Sequence, residues 1–208
     1  MTTYPQLRSR RSYQAYYDDL AGVRKHRIVK YNPYRMQYFH PQPGEMILDL
    51  GCGTGGNAIQ YAMWGCHVVG VEMAAGFLDA AREMTRKHFA AIADRLTWIQ
   101  GCIEQVQLGR QFDHVLLTEV LEHVLDPMVV VQMAADHLKP TGEAYITAPS
   151  ARIGSNSHVR GVDVSQLDEW LATAGLKRKW YVTQPNKPEN PVYHTTICKA
   201  VRHARSAD

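Results

Sequence analysis

The chain has few cysteines, and none of them is spaced as a metal-binding or redox pair. Cys52, Cys66, Cys102 and Cys198 contain no C-x-x-C, which argues against the common zinc and dithiol motifs. No apolar run has the length that crosses a bilayer, and no charged start precedes an apolar leader core. Reduced thiols and a cytoplasmic location are the expectation. An excess of one charge is missing too: 23 Lys plus Arg stand against 20 Asp plus Glu. The resulting net charge of +3 does not by itself imply a nucleic-acid partner. Internal repeats and low-complexity tracts are absent.

What is present is globular composition: 208 residues, 45% hydrophobic and 21% charged. One domain is expected, with residues 1–44 as an N-terminal helical cap segment and 45–208 as its core. Basic residues gather early, at Arg8, Arg10, Arg11, Arg24, Lys25, Arg27 and Lys30. They read either as solvated charge or as an attraction for an acidic or phosphate-bearing acceptor. Tyr13 to Tyr38 has a mainly helical pattern, with Tyr16, Leu20, Val23, Ile28 and Tyr31 on one face and Pro33 interrupting it.

After Pro41, Pro43 and Gly44 comes the apolar burst Met46-Ile47-Leu48-Asp49-Leu50, read as a buried strand. Strands and helices then alternate. Helices are expected over 57–64, 74–93, 127–138 and 164–174, and strands over 67–71, 96–100, 112–117 and 144–148. Asp126-Pro127 opens the third of these helices as cap and first residue, and Lys139-Pro140-Thr141-Gly142 closes it. Segments 179–183 and 192–198 form a final antiparallel pair. Such alternation predicts an α/β fold with a mostly parallel sheet covered on both faces. Ligands of such sheets sit at the carboxyl ends of the strands.

The first strand runs into Gly51-Cys52-Gly53-Thr54-Gly55-Gly56. Gly51, Gly53 and Gly56 fit the dinucleotide spacing G-x-G-x-x-G. Asp49 argues against that reading, because a pyrophosphate at a helix N-terminus would meet a carboxylate two residues before the first glycine. A ligand carrying an ammonium and a sulfonium would be favoured there. The segment resembles motif I of class I S-adenosylmethionine-dependent methyltransferases, D-x-G-x-G-x-G, and the resemblance extends over residues 45–150. It implies a Rossmann-like, seven-stranded fold ending in an antiparallel hairpin, and S-adenosylmethionine as cofactor. The loop residues Asp49, Gly51, Cys52, Gly53 and Gly55 would line the cofactor site. Glu72 would accept from the ribose diol, and Met73 would pack on adenine. Family members often carry Asp where this chain has Cys102. A thiol is a poor acceptor, so adenine recognition would lean on the Ile103 amide and apolar contact. Tyr13, Tyr16 and Tyr17 are placed to close over the cofactor or to pack in the core.

The fourth strand leads into Glu119-Val120-Leu121-Glu122-His123. If a helical turn starts there, Glu119, Glu122 and His123 share one face. The string resembles the corresponding region of ubiquinone-biosynthesis O-methyltransferases and the Glu-x-x-Glu-His of small-RNA 2′-O-methyltransferases. In the RNA family the three side chains and a later His hold a divalent metal, and His158 is the candidate for that His here. Three readings stay open: a Mg²⁺ or Mn²⁺ site, His123 as a general base oriented by Glu122, and a plain packing role. Glu119 is also a candidate cofactor contact. The expected function is O-methylation of a small-molecule or glycan-type metabolite, with no nucleic acid and no membrane partner. An RNA 2′-O-methyltransferase is the alternative, and a non-catalytic S-adenosylmethionine-binding protein the third. The Ser150–Ser165 connection is short and polar, which argues against a membrane-docked quinone acceptor.

Overall fold

The computed structural model of the protein describes residues 10–24, 31–151, 158–187 and 190–202. Two compact units, Met1–Val106 and Gln107–Asp208, make up the chain. The first contains α1 (Arg10–Arg24), α2 (Pro33–Met36), β1 (Met46–Leu50), α3 (Gly56–Met63), β2 (His67–Glu72), α4 (Ala75–His88), a 3₁₀ segment (Ala90–Arg95) and β3 (Leu96–Gln100). The second contains β4 (Phe112–Thr118), α5 (Pro127–His137), β5 (Leu138–Pro149), α6 (Val164–Thr173), β6 (Leu176–Lys187) and β7 (Asn190–Arg202). Within the first unit the strands run in the order β3-β2-β1, and within the second in the order β4-β5-β7-β6. Among the described residues, no helix is long and apolar enough to cross a membrane.

In the first unit β1, β2 and β3 pair in parallel. Ile47, Leu48 and Leu50 of β1 and Val68, Val69 and Val71 of β2 are buried, as a parallel sheet covered on both faces requires. Tyr61 of α3 anchors this core, edge-on to Phe39 at 4.9 Å and to Trp64 at 5.3 Å between ring centroids. Of the mainly helical stretch expected over 13–38, the described residues form α1 and α2. Pro33 is the first residue of α2, where its missing N–H costs nothing, and the Asn32 side chain caps it by accepting from the Arg35 amide at 3.2 Å. Arg8, Lys25, Arg27, Ile28 and Lys30 lie outside the described residues, as do the side chains of Arg10, Arg11, Tyr13, Leu20, Val23 and Arg24.

The helix expected to reach residue 93 stops at His88. Phe89 leaves helical geometry with φ −133° and ψ 31°, and a 3₁₀ segment follows. Arg86, Lys87 and His88 fill the last turn, where positive charge complements the helix dipole.

In the second unit β4 and β5 are parallel, while β7 pairs antiparallel with both β5 and β6. Asp126 caps α5 by accepting from the Met128 amide at 3.0 Å, with Pro127 at the first helical position. Asp163 caps α6 through the Gln166 amide at 2.8 Å, and Gly175, at φ 71°, follows its end. The Lys139–Gly142 stretch, expected to close α5 ahead of a strand at 144–148, belongs to β5 itself. Leu138 pairs with Phe112 and Glu143 with His114, so the segment is absorbed as a bulge. Gly142 makes this possible: a Cβ there would sit 3.0 Å from the carbonyl oxygens of Phe112 and Asp113.

Candidate functional site

At the end of β1 the backbone turns through three glycines with positive φ: Gly51 at 75°, Gly53 at 54° and Gly55 at 83°. Gly56 is not among them; it is the first residue of α3. The conformation therefore follows Asp-x-Gly-x-Gly-x-Gly, and Gly51-Gly53-Gly56 is a coincidence of spacing. The amides of Gly51 and Cys52 both donate to the Val71 carbonyl, at 2.8 and 3.0 Å, which pins the loop to the end of β2.

Glu72 closes the same loop from the other side. One carboxylate oxygen accepts from the Gly53 amide at 3.0 Å and the other from the Ala74 amide at 2.9 Å. Burial raises its pKa, and these backbone donors pull it back down. A carboxylate offers about four acceptor positions. With two of them engaged, Glu72 keeps capacity for a diol while it also holds the loop's shape.

Asp49 has no such support. It is 1% exposed, and neither carboxylate oxygen has a hydrogen-bond partner among the described residues. Burial, and then the nearby charge of Glu72, push its pKa up to about 7. A buried carboxyl without donors is costly as an anion unless a positive or hydrogen-bond-donating ligand meets it. This is the observation that fits S-adenosylmethionine, with its ammonium and sulfonium, and disfavours a pyrophosphate.

The strand register adds a residue that sequence patterning missed. Asp49 aligns with Gly70, and Gly70 with Trp98. A Cβ on Gly70 would lie 2.7 Å from the Trp98 ring and 2.8 Å from Cys52 Sγ, and one on Gly55 would lie 2.4 Å from the ring tip. Trp98 thus spreads across a gap left by Gly70 and lies against the glycine loop at Gly55. A glycine inside a buried strand was the available signal.

The remaining candidates of this unit fall around the same strand ends. Met73 follows Glu72, and its carbonyl accepts from the Gln14 side chain of α1 at 3.1 Å. Through that bond the N-terminal helix reaches the end of β2. Tyr16 and Tyr17 stack edge to face at 5.4 Å on this helix. Beyond β3, Cys102 and Ile103 begin a turn in which the Cys102 carbonyl accepts from the Gln105 and Val106 amides, both at 3.0 Å. The Cys102 thiol lies 3.6 Å from Glu104. Burial raises the Cys52 thiol well above its usual value, which keeps it unreactive.

In the second unit the Glu-x-x-Glu-His string is not helical, which corrects the one-face expectation. Glu119 adopts the left-handed conformation, φ 58°. Its amide donates to the Thr147 carbonyl at 2.8 Å, and its carboxylate accepts from the Thr147 hydroxyl at 3.0 Å. Glu119 is thereby drawn to β5 and does not join the cluster. Glu122 and His123 sit in a turn closed by the His123 amide on the Val120 carbonyl at 2.9 Å. Glu122 is fully buried, with a carboxylate oxygen 3.7 Å from His123 Nε2. His158 completes the group, its ring edge-on to His123 at 4.7 Å. One ligand atom from each of Glu122, His123 and His158 lies within 4.8 Å of the others. The donor set is one carboxylate and two imidazoles: of the expected Glu119, Glu122, His123 and His158, the group holds the last three.

Comparison with known proteins agrees with this geometry. A family model described as a methyltransferase domain matches residues 48–146. The chain is 34% identical over 145 residues to a ubiquinone biosynthesis O-methyltransferase of Vibrio vulnificus (strain YJ016), covering 66% of this chain and 59% of that protein. It is 42% identical over 103 residues to one from Dinoroseobacter shibae (strain DSM 16493 / NCIMB 14021 / DFL 12), covering 50% and 40%. The matches thus span little more than half the length of these relatives or less. Among solved structures, the glycopeptide N-methyltransferase MtfA complexed with S-adenosylmethionine superposes with TM-score 0.68 at 15% identity, over 82% of this chain and 86% of its own. The cyclase SpnF superposes equally well, TM-score 0.68 at 15% identity, over 89% and 81%. The fold is therefore the class I methyltransferase fold, and residues 48–146 match a methyltransferase domain. That a cyclase shares this fold leaves the reaction to be argued from the site.

Proposed function

We propose that the protein transfers the methyl group of S-adenosylmethionine to a hydroxyl of a small-molecule acceptor. The observation that carries the reading is Asp49, a buried carboxyl with no donor among the described residues, beside a left-handed glycine loop. Asp49 would receive the cofactor's positive end, and Glu72 its ribose diol, while Met73, Cys102 and Ile103 would border adenine. The names of the relatives, O-methyltransferases, support an oxygen acceptor.

S-adenosylmethionine supplies an electrophilic methyl carbon on a sulfonium. The chain's own task is to hold the acceptor oxygen in line, exclude water and take up the hydroxyl proton. His123 is the base in this reading. Its Nε2 faces Glu122 at 3.7 Å, too far for a hydrogen bond, so Glu122 acts by charge and stabilises the imidazolium once formed. Nδ1 is then the atom that receives the proton.

The cluster of Glu122, His123 and His158 favours one second reading, a metal-assisted transfer at the same residues. Two imidazoles and one carboxylate suit Mn²⁺ or another transition ion better than Mg²⁺. A cation there would lower the pKa of a bound acceptor hydroxyl.

The test is transfer of tritiated methyl from S-adenosylmethionine to a panel of hydroxylated small molecules. His123→Ala should cut turnover by roughly 10²–10⁴ and leave cofactor affinity unchanged. Loss of activity with chelator and recovery with Mn²⁺ would select the metal reading. Full turnover by His123→Ala would sink both. A cytoplasmic location and independence from nucleic acid belong to the same proposal.

A further inference from the structure

The turn that carries Glu122 and His123 is neither helix nor strand, so its carbonyls have no ladder to complete. They are met from a distant segment. Arg160 Nη1 donates to the Leu121 carbonyl at 3.2 Å and to the Val124 carbonyl, and Nη2 donates to the Leu125 carbonyl at 3.1 Å. The Val159 amide donates to the Glu122 carbonyl at 2.9 Å. Three residues on, the Val162 amide returns to the Pro149 carbonyl at the end of β5, at 2.8 Å. Residues 158–162 therefore form a strap that lies on the turn and delivers the His158 ring edge-on to His123 at 4.7 Å.

We propose that Arg160 is a positioning residue, whose guanidinium fixes the Glu122–His123 turn and, with Val159, sets His158 against His123. The planar fork suits the task, since a single group with five N–H donors can serve three carbonyls that diverge from one turn. Lysine has a flexible stem and a compact charge and would hold fewer of them in place. The strap also explains how two histidines 35 positions apart in the chain, His123 and His158, come to share one site. The inference rests on the reading of Glu122 and His123 as the chemical residues. Its geometry, however, can be tested without any acceptor.

The test is solution NMR of the labelled full chain, with S-adenosylmethionine affinity measured alongside by calorimetry. In the wild type, a nuclear Overhauser effect should connect the His123 and His158 rings, and the Val159 amide should exchange slowly. Arg160→Ala should lose the ring-to-ring effect and speed Val159 exchange by about tenfold or more, while cofactor affinity stays within about twofold. Millimolar guanidinium should restore part of the ring contact in that variant. Methyl transfer to the best hydroxylated probe of the panel should fall about 10–100-fold, as expected when a reacting group is misplaced. An unchanged ring contact and unchanged Val159 exchange in a folded Arg160→Ala would overturn the proposal. If Arg160→Ala does not fold, Arg160→Lys takes its place, with a weakened ring contact and faster Val159 exchange expected. Wild-type values for both would then overturn it. Failure of the underlying reading looks different: the strap measurements come out as expected while His123→Ala keeps full turnover.

Discussion

Replacing Asp49 by Asn should remove a pH dependence of cofactor binding that the wild type has. In the free protein burial holds the Asp49 carboxyl at a pKa of about 7. A ligand that brings an ammonium to this carboxyl binds the ionised form. Its apparent Kd therefore varies inversely with the ionised fraction, about 76% at pH 7.5 and about 3% at pH 5.5. S-adenosylmethionine should bind about 25-fold more weakly at the lower pH, a window chosen below the titration of its own amino group near 7.7–8.0. Stability should run the other way. The folded-state pKa of this acid is raised, so the folded chain binds more protons than the unfolded chain between about pH 4 and pH 7. Asp49 therefore costs stability progressively as pH rises through that range. Asn, which stays neutral, does not. Calorimetric titrations across the window, paired with thermal unfolding of both proteins without ligand, check the two signs. Equal pH dependence of cofactor affinity in wild type and Asp49→Asn would show that Asp49 does not meet the ligand's charge.

Other outcomes follow from single contacts. Glu72→Ala removes acceptors of the Gly53 and Ala74 amides as well as the proposed diol contact, so it should weaken S-adenosylmethionine by about 1.5–3 kcal/mol per lost bond to the charged group. It should also speed exchange of the Gly53 amide, read by NMR. Gly70→Ala drives a methyl into Trp98 and Cys52 and should destabilise the fold by about 1–3 kcal/mol in urea. Trp98→Leu in the same chain should recover part of that loss, and no recovery would show that the clash lies elsewhere. Arg202→Ala removes the guanidinium donor to the Ala135 and Leu138 carbonyls at the end of α5, held at 2.6 and 2.9 Å by Nη2, and should lower Tm.

The parts of this fold that a reader of the sequence can see are local ones. Met46–Leu50 is a strand in both accounts because five residues ending in a glycine turn specify it without distant help. Asp126-Pro127 marks a helix start because cap and proline act within one turn. What sequence reading missed depends on register and on contacts across many residues. Trp98 meets the glycine loop only because Asp49, Gly70 and Trp98 align across three strands. Glu119 leaves the cluster because its left-handed backbone and Thr147 turn it away, and neither is visible in the string Glu-x-x-Glu-His. His158 was legible as a candidate only through family resemblance, while Arg160, which sets its place, left no pattern at all. The Lys-Pro-Thr-Gly bulge misled because Pro and Gly mark loops more often than strands, and the close carbonyls of Phe112 and Asp113 are what require glycine here.

The claim on which the rest depends is that the loop between Asp49 and Glu72 takes S-adenosylmethionine and not a dinucleotide. Isothermal titration of the wild-type chain with each ligand at about pH 7.5 tests it directly, at a pH where about three quarters of Asp49 is ionised. A saturable one-to-one isotherm with S-adenosylmethionine, weakened in Glu72→Ala, and no heat of binding with NAD are expected. A saturable isotherm with NAD and none with S-adenosylmethionine would contradict it.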